Sequence, residues 1–217
     1  MNKILIETIN LKKTYQHFNG DITLFNNLNL KIKQGELVAL VGPSGSGKSS
    51  LLHLLALLDE PTRGDIKIND VYTKKFTDEK KDETRRKNIS IIFQDNNLLN
   101  DFTAIENVMM PLIIKGENVA NAKKTAQKIL KAVKILDRSQ HFPNQLSGGE
   151  QQRVAIARAL IAETNLILAD EPTGNLDFKT SREIFSYFLK LKKLKKTIIF
   201  ATHNRELANR ADYKLFI

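Results

Sequence analysis

The chain has 217 residues, of which 41% are hydrophobic, and its 34 Lys and Arg against 24 Asp and Glu give a formal net charge of +10. This length and composition allow a substantial buried core and exclude collagen-like, disordered and low-complexity chains. Because the sequence has no Cys, it holds no disulfide, no Cys-ligated metal and no thiol nucleophile. The basic charge is compatible with nucleic acid, an anionic membrane surface or a phosphate-rich ligand.

The N-terminal residues MNKILIETIN place Glu7 where a signal peptide needs a continuous apolar segment, so we expect no export by that route. The richest apolar stretch, Leu51 to Leu58, contains His53 and is much shorter than the ~20 residues that cross a bilayer. We therefore expect no membrane-spanning helix.

The first third of the chain shows a strand–loop–helix pattern. Leu28, Leu30 and Ile32 alternate with polar residues, which is typical of a half-buried strand. The run Leu37 to Val41 is apolar throughout and predicts a strand buried on both faces. Glycine-rich residues 42–47 then lead into a helical pattern that begins near Lys48.

The middle of the chain is predominantly helical. Residues 78–87 are densely charged and predict a solvated helix, which precedes an apolar strand at residues 90–93. Thr103 and Glu106 have the spacing of a capping box, so a helix is expected to start there. A later helix has one apolar face, and lysines lie around the rest of it, which we interpret as a solvated surface. The apolar face comprises Ala122, Ala126, Ile129, Leu130 and Val133.

Buried strands are predicted on both sides of this helical region. They lie at residues 37–41 and 166–169, and a further apolar strand follows at residues 198–201. The pattern predicts an α/β fold in one domain, residues 1–217. Its core is expected to comprise about residues 1–93 and 158–217, with a helical subdomain inserted at about residues 94–157.

The glycine-rich segment satisfies the phosphate-loop pattern in the required context, between a buried strand and a helix. Its glycines allow backbone N–H groups to surround phosphates, Lys48 supplies a positive charge, and Ser49 offers a hydroxyl to Mg²⁺. A flexible turn would not require Lys followed by Ser. The loop comprises Gly42, Pro43, Ser44, Gly45, Ser46, Gly47, Lys48 and Ser49.

Paired acids follow the predicted strand at residues 166–169, where ligands bind in open α/β sheets. Asp170 is a candidate Mg²⁺ ligand, and Glu171 is a candidate to orient and polarise an attacking water. Taken alone, the pair is also compatible with a capped turn before a helix that starts at Pro172. The presence of the phosphate loop favours the catalytic interpretation.

Ser147 and Glu150 fit a second capping box, and Gly148 and Gly149 stand between them. A well-capped helix does not by itself account for both glycines. They leave the helix N-terminus open to an anion, which makes it a second candidate phosphate site. One phosphate loop suffices for one triphosphate, so the second terminus suggests a nucleotide held between two copies of the chain.

Three further residues are candidates because of their positions. His203 and Gln94 each follow an apolar strand, and Gln94 is a possible contact to Mg²⁺ or water. Tyr15 is a candidate to stack on a nucleobase. A lone His or Tyr is more often structural, so these assignments depend on the neighbouring motifs.

GPSGSGKS, LSGGEQQR, LILADEP and the His of THN, in this order, resemble the ATP-binding subunit of an ABC transporter over essentially the whole chain. The resemblance implies an ABC ATPase core with an N-terminal antiparallel β subdomain and an inserted helical subdomain. It implies ATP and Mg²⁺ as ligands, with Tyr15 on the adenine, Asp170 on the metal, Glu171 as the catalytic carboxylate and His203 as a γ-phosphate contact. Gln94 would link Mg²⁺ to the membrane partner.

The resemblance also implies a head-to-tail dimer in which Ser147, Gly148 and Gly149 cover the nucleotide of the other copy, with residues 175–177 crossing between subunits. A separate permease in the bacterial inner membrane is the implied partner, and the chain would be peripheral on its cytoplasmic face. Two positions depart from the family pattern: Ser50 stands where Thr is usual, and Asn204 where Asp is commoner.

LADEPTGNLD narrows the resemblance to a subgroup of lipoprotein-releasing, macrolide-exporter and cell-division ATPases. Residues 97–108 and 51–55 most resemble the lipoprotein-releasing type, which implies lipoprotein release from the inner membrane. The competing class is a soluble ATPase that acts on nucleic acid or ribosomes. It is disfavoured because the chain has one uninterrupted ATPase unit, and we expect no nucleic-acid partner.

Overall fold

The computed structural model describes residues 3–18, 20–174 and 176–217. The first half contains β1 (Ile4–Tyr15), β2 (Ile22–Lys33), β3 (Leu37–Val41), α1 (Lys48–Leu55), β4 (Arg63–Ile68), β5 (Val71–Tyr72), α2 (Asp78–Asn88) and β6 (Ile89–Ile92). The second half contains α3 (Ala104–Ile114), α4 (Val119–Ala132), α5 (Gly148–Ile161), β7 (Leu166–Asp170), α6 (Phe178–Lys193), β8 (Thr197–Ala201), α7 (Arg205–Ala208) and β9 (Tyr213–Phe216). These elements form an α/β fold.

The N-terminal strands form an antiparallel sheet in the order β2-β1-β4-β5. Ile6 pairs with Ile32 and Leu11 with Leu28 across β1 and β2, so the alternation in the sequence places one apolar face toward the core. That face packs with the leucines of α1, including Leu51 and Leu55. The predicted strand at residues 28–32 is confirmed as part of β2, and the expected antiparallel β subdomain is confirmed.

The central sheet is parallel, with the order β6-β7-β8-β3-β9. All five residues of β7 and of β8 are buried, which explains why these strands are apolar almost throughout. The predicted strands at residues 37–41, 90–93, 166–169 and 198–201 are confirmed, and the one predicted at residues 90–93 runs from Ile89 to Ile92. Residues of α1 pack in one buried cluster and residues of α6 in another, so both faces of the sheet are covered.

The helical region between β6 and β7 confirms the predicted insertion into the α/β fold. The Glu106 carboxylate accepts hydrogen bonds from the N–H (2.8 Å) and hydroxyl (2.6 Å) of Thr103, as the capping box predicts. On α4, the lysines are exposed as expected. Its residues Ala122, Ala126 and Leu130 are buried, whereas Ile129 is only partly buried. Helix α5 continues to Ile161, so the predicted subdomain boundary at residue 157 falls inside one helix.

Among residues 3–18, 20–174 and 176–217, no helix is both long enough and apolar enough to span a membrane.

Candidate active site

The parallel sheet brings four of the predicted motifs to one edge. Strands β6, β7, β8 and β3 are neighbours and run in the same direction. Gln94, Asp170 with Glu171, His203 and the phosphate loop each stand at or just beyond the carboxyl end of one of these strands. This edge is where ligands bind in open α/β sheets.

The phosphate loop depends on its glycines for its shape. Gly45 and Gly47 have φ values of +80° and +99°, a region that favours glycine. A Cβ at Gly47 would lie 2.9 Å from the Cβ of Leu24, and one at Gly42 would lie 2.7 Å from Ser46 Oγ. Within the described part of the chain, no side chain caps α1 at Gly47, so the first N–H groups of the helix are available to an anion.

Lys48 lies within this loop and is buried. Its Nζ donates hydrogen bonds to the carbonyl oxygens of Gly42 (3.0 Å) and Pro43 (2.8 Å), which hold the ammonium at the loop. Ser46 Oγ is buried and has no hydrogen-bond partner among the described residues, so it is free to bind a phosphate oxygen. The exposed members of the loop are Pro43, Ser44, Gly45 and Ser49.

Glu171 and His203 are in direct contact. Glu171 Oε1 lies 3.1 Å from His203 Nε2, and Glu171 Oε2 accepts the backbone N–H of His203 at 3.3 Å. The backbone of Glu171 has a φ of +42°, and its N–H donates to the carbonyl of Ala201 at 3.1 Å. These contacts place the carboxylate between the ends of β7 and β8.

Burial raises the pKa of Glu171, and the neighbouring charge of Asp170 acts in the same direction. The interactions with His203 and Lys48 oppose that rise without cancelling it. A carboxylate with a raised pKa is a stronger base than an exposed Glu, so it is better suited to accept a proton from water.

The oxygen donors near this edge suit Mg²⁺. Asp170 ends β7 and is buried, whereas Ser49 and Gln94 are exposed. No group of three His, Cys, Asp or Glu in the described ranges is arranged to hold a metal by itself. Hydroxyl, carboxylate and amide oxygens are ligands that Mg²⁺ accepts when phosphate oxygens and water complete the octahedron. The residues therefore fit Mg²⁺ bound together with a nucleotide.

The second candidate phosphate site is a capped but open helix end. Ser147 caps α5, and Glu150 Oε2 accepts the Ser147 N–H at 2.8 Å, a bond that lowers the pKa of Glu150. Glu150 Oε1 accepts from Arg138 Nε at 3.1 Å, so both carboxylate oxygens have protein partners. A Cβ at Gly148 would meet nothing within 4 Å, and one at Gly149 would meet the side chain of Leu176 at 3.4 Å.

Residues 147–149 make no hydrogen bond to the phosphate loop within the part of the chain that the structure describes. The parallel sheet therefore brings four motifs to one edge, and no hydrogen bond among the described residues joins the α5 terminus to the phosphate loop. Of the predicted crossing segment, Asp177 caps α6 by accepting from the N–H groups of Lys179 and Thr180, each at 3.0 Å. Asn175 lies outside the described residues.

Tyr15 stands at the end of β1, beside α1. Tyr15 is 40% exposed, and its hydroxyl donates to Asp59 Oδ2 at 3.0 Å. The half-buried Ser50 of α1 places its Oγ 3.4 Å from the same hydroxyl. Lys13 Nζ lies 4.6 Å from the ring centroid.

Sequence reasoning missed one residue that contacts this edge. Arg158 of α5 donates from its two terminal nitrogens to the carbonyl oxygens of Asn96 and Asn97, each at 2.7 Å. Both asparagines have positive φ, +60° and +45°. The consecutive asparagines are a local signal for a turn that follows Gln94, but no local signal in the sequence identifies Arg158 as its partner.

A phosphate loop between a buried strand and a helix, with acids at the end of another strand of the same parallel sheet, defines a P-loop nucleotide-binding protein of the α/β class. The family described as ABC transporter matches residues 25–174, which is more than half of the chain. The chain belongs to the ABC transporter family, as an ATPase subunit.

The chain is also similar to curated proteins over nearly its whole length. It is 49% identical to the lipoprotein-releasing system ATP-binding protein LolD of Rickettsia bellii, covering 99% of this chain and 96% of that protein. It is 41% identical to the protein of the same name from Legionella pneumophila, covering 100% of this chain and 96% of the relative.

Two solved structures have the same fold. One is a dimeric ATP-binding cassette in a post-hydrolysis state, bound to ADP and Pi, with a TM-score of 0.94 and 39% identity over 98% of this chain and 94% of that chain. The other is a dimeric bacterial ABC transporter cassette, with a TM-score of 0.94 and 40% identity over the same shares. These similarities confirm the predicted fold class.

Proposed function

We propose that this chain is the ATP-hydrolysing subunit of a lipoprotein-releasing transporter in the bacterial inner membrane. The observation that carries the chemistry is the contact between Glu171 and His203, which lies at the same sheet edge as the phosphate loop. The similarity to two lipoprotein-releasing ATPases over nearly the whole chain supports the cargo class.

In this proposal the loop of residues 42–49 binds the phosphates of ATP through backbone N–H groups, Ser46 and Lys48. Ser49 and Asp170 would hold Mg²⁺, with Gln94 as a further oxygen donor. The ring of Tyr15 stacks on the adenine. Mg²⁺ supplies charge neutralisation at the phosphate oxygens when bound.

Glu171 orients a water for in-line attack on the γ-phosphorus and accepts its proton, which its raised pKa favours. As the new bond from oxygen to phosphorus forms, the bond from the γ-phosphorus to the β,γ-bridging oxygen breaks, and ADP and phosphate are the products. His203 fixes the Glu171 carboxylate through its backbone N–H and its ring, and the ring contacts the γ-phosphate. Lys48 stabilises negative charge on the phosphates, because its ammonium already lies at the loop.

A second copy completes the site. The open N-terminus of α5 at Ser147, Gly148 and Gly149 would cover the nucleotide of the other copy, which gives this helix end an anion to bind. Both solved relatives are dimeric, which supports this arrangement. We further propose that residues 94–157 act as the helical subdomain that carries this terminus, and that residues 175–177 cross between the copies.

The permease is proposed to dock in a groove of about 440 Å³ between α2, β6 and the helical region. Its wall includes Ile91, Phe93 and Ile114, and Ile114 is 59% exposed. Arg158 lines the same groove and holds the turn after Gln94, so a docked segment would contact the residues that adjoin the metal site. This docking would place the chain at the cytoplasmic face of the inner membrane.

The test is purification of the chain from native membranes in mild detergent, followed by identification of the co-purifying protein. A lipoprotein-releasing permease pair is expected. Ile114→Asp should abolish co-purification while nucleotide binding persists, because Ile114 lies in the groove and away from the phosphate loop. Leu194→Asp is the matched control, since Leu194 is 70% exposed at the end of α6.

Recovery of a cell-division protein or a macrolide-type exporter would overturn the cargo assignment. Salt-dependent binding of nucleic acid with no membrane partner would overturn the transporter assignment.

A further inference from the structure

The hydroxyl end of Tyr15 is fixed by residues outside the predicted nucleotide-binding motifs. Asp59 follows the C-terminal end of α1, 44 residues away in sequence, and its Oδ2 accepts the Tyr15 hydroxyl at 3.0 Å. Asp59 Oδ1 accepts from Lys13 Nζ at 2.7 Å. One carboxylate therefore holds both the end of the ring and the cation beside it.

Lys13 has little freedom to move away from the ring. Lys13 is only 7% exposed, and its Nζ also donates to the carbonyl of Glu60 at 2.8 Å. The ammonium lies 4.6 Å from the Tyr15 centroid, a cation–π distance. Because Lys13 covers one face of the ring, a nucleobase has only the other face on which to stack.

The backbone around this cluster is anchored independently of Asp59. Thr62 N–H donates to the carbonyl of Lys12 at 2.9 Å, and Thr62 Oγ1 accepts the N–H of Thr14 at 2.9 Å. These bonds join the end of β1 to the segment that follows α1. Loss of the Asp59 charge therefore leaves the strand end in place and affects the ring and the Lys13 ammonium.

The ionisation of Asp59 is consistent with this arrangement. Burial by itself would raise the pKa of Asp59, but hydrogen bonds from Lys13, the Glu60 N–H and Tyr15 outweigh it and lower the pKa. The carboxylate is therefore charged at neutral pH, which is the form that accepts both bonds.

We propose that Asp59, together with Lys13, is a positioning residue that fixes the Tyr15 ring for stacking on the nucleobase. This inference rests on the proposed role of Tyr15 in nucleotide binding. Asp59 does not touch the nucleotide. Because Asp59 orders the ring before the nucleotide binds, it lowers the conformational entropy that binding would otherwise cost. It also links the β subdomain to the segment that follows α1.

The experiment compares two probes, ADP and inorganic pyrophosphate, which share the phosphate contacts and differ in the base and ribose. Dissociation constants are measured by calorimetry with Mg²⁺ on the full chain. Asp59→Asn and Tyr15→Phe should each weaken ADP binding about 2- to 10-fold, the cost of ordering one side chain, and leave pyrophosphate binding unchanged. The double variant should bind ADP no more weakly than Asp59→Asn alone, because the hydrogen bond that Tyr15→Phe removes is already perturbed in Asp59→Asn.

Tyr15→Phe keeps the proposal testable if Asp59→Asn unfolds, since it removes the same bond and leaves Lys13 paired. The matched control is Asp65→Asn, which breaks a surface pair between Asp65 of β4 and Lys74 (2.6 Å) and should leave both constants unchanged.

Tyr15→Ala separates the two levels of the proposal. If Tyr15→Ala weakens ADP but not pyrophosphate while Asp59→Asn and Tyr15→Phe bind ADP like wild type, the positioning role is overturned. If Tyr15→Ala also binds both probes like wild type, the proposed role of Tyr15 fails and the inference fails with it. If the wild type binds neither probe, the proposed phosphate loop fails.

Discussion

Arg158 offers a direct test of how the structure holds the turn that follows Gln94. Its guanidinium donates to the carbonyls of Asn96 and Asn97, each at 2.7 Å, and both residues have positive φ. A hydrogen bond from a charged group contributes about 1.5–3 kcal/mol. Asn96 is buried and Asn97 is exposed, so water can replace only the second bond.

We therefore expect Arg158→Ala to lower the free energy of unfolding by about 2–4 kcal/mol. Arg158→Lys should recover part of this loss, because an ammonium lacks the fork that reaches two carbonyls at once. Urea unfolding followed by circular dichroism measures the change as a shift in midpoint at unchanged slope.

Arg210→Ala is the control, because Arg210 is exposed, and it should change the free energy of unfolding by no more than about 0.5 kcal/mol. The reasoning is refuted if Arg158→Ala is no less stable than this control, or if Arg158→Lys is as stable as wild type.

Three further changes have defined outcomes. Lys48→Ala should abolish detectable ADP binding in calorimetry while the fold persists in circular dichroism, because the positive charge at the phosphates is lost; unchanged binding would exclude the phosphate-loop assignment. Asn107, fully buried, accepts the N–H of Leu99 at 2.8 Å and donates to its carbonyl at 3.0 Å, so Asn107→Ala should cost about 2–4 kcal/mol in urea unfolding. A loss of unfolding free energy of no more than about 0.5 kcal/mol, as at a surface position, would contradict this role of Asn107. Because folding raises the pKa of Glu171, the stability of Glu171→Gln relative to wild type should grow as pH rises from the ordinary pKa of Glu to the raised one, and then stay constant. Equal unfolding free energies at all pH values would show that the pKa is not raised.

The elements that local patterns determine were predicted from the sequence. Strand β3 is buried on both sides except at Val41, its last residue. Its continuous apolar run is the local pattern that predicts this burial. The two capping boxes, at Thr103 and Ser147, form between residues three apart, so their spacing alone predicts the helix starts.

Strand β9 was not predicted, because only its pairing with β3 identifies it as a strand. Its residues are half-buried and exposed in alternation, and Val38 of β3 pairs with Tyr213. Over four residues such a pattern is too short to distinguish an edge strand from a loop. The pairing partner lies far away in sequence, where local periodicity carries no information.

The candidate site was predicted as a set of motifs, and its geometry required the fold. Adjacent strands bring Glu171 and His203 together, although they are 32 residues apart in sequence. The positive φ of Glu171 is not expected for a glutamate, and it occurs where the Glu171 N–H donates to the carbonyl of Ala201 on the neighbouring strand. Arg158 and Asp59 were missed for the same reason, since their partners lie 61 and 44 residues away.

ATP hydrolysis through Glu171 is the central claim, and single-turnover hydrolysis by Glu171→Gln tests it most directly. The variant should bind ATP as wild type does, because the phosphate loop is unchanged, and it should accumulate dimer in size-exclusion chromatography. Its hydrolysis rate should fall by about 10²- to 10⁴-fold, the contribution of a general base. Turnover at the wild-type rate would contradict the account and remove Glu171 from the chemistry.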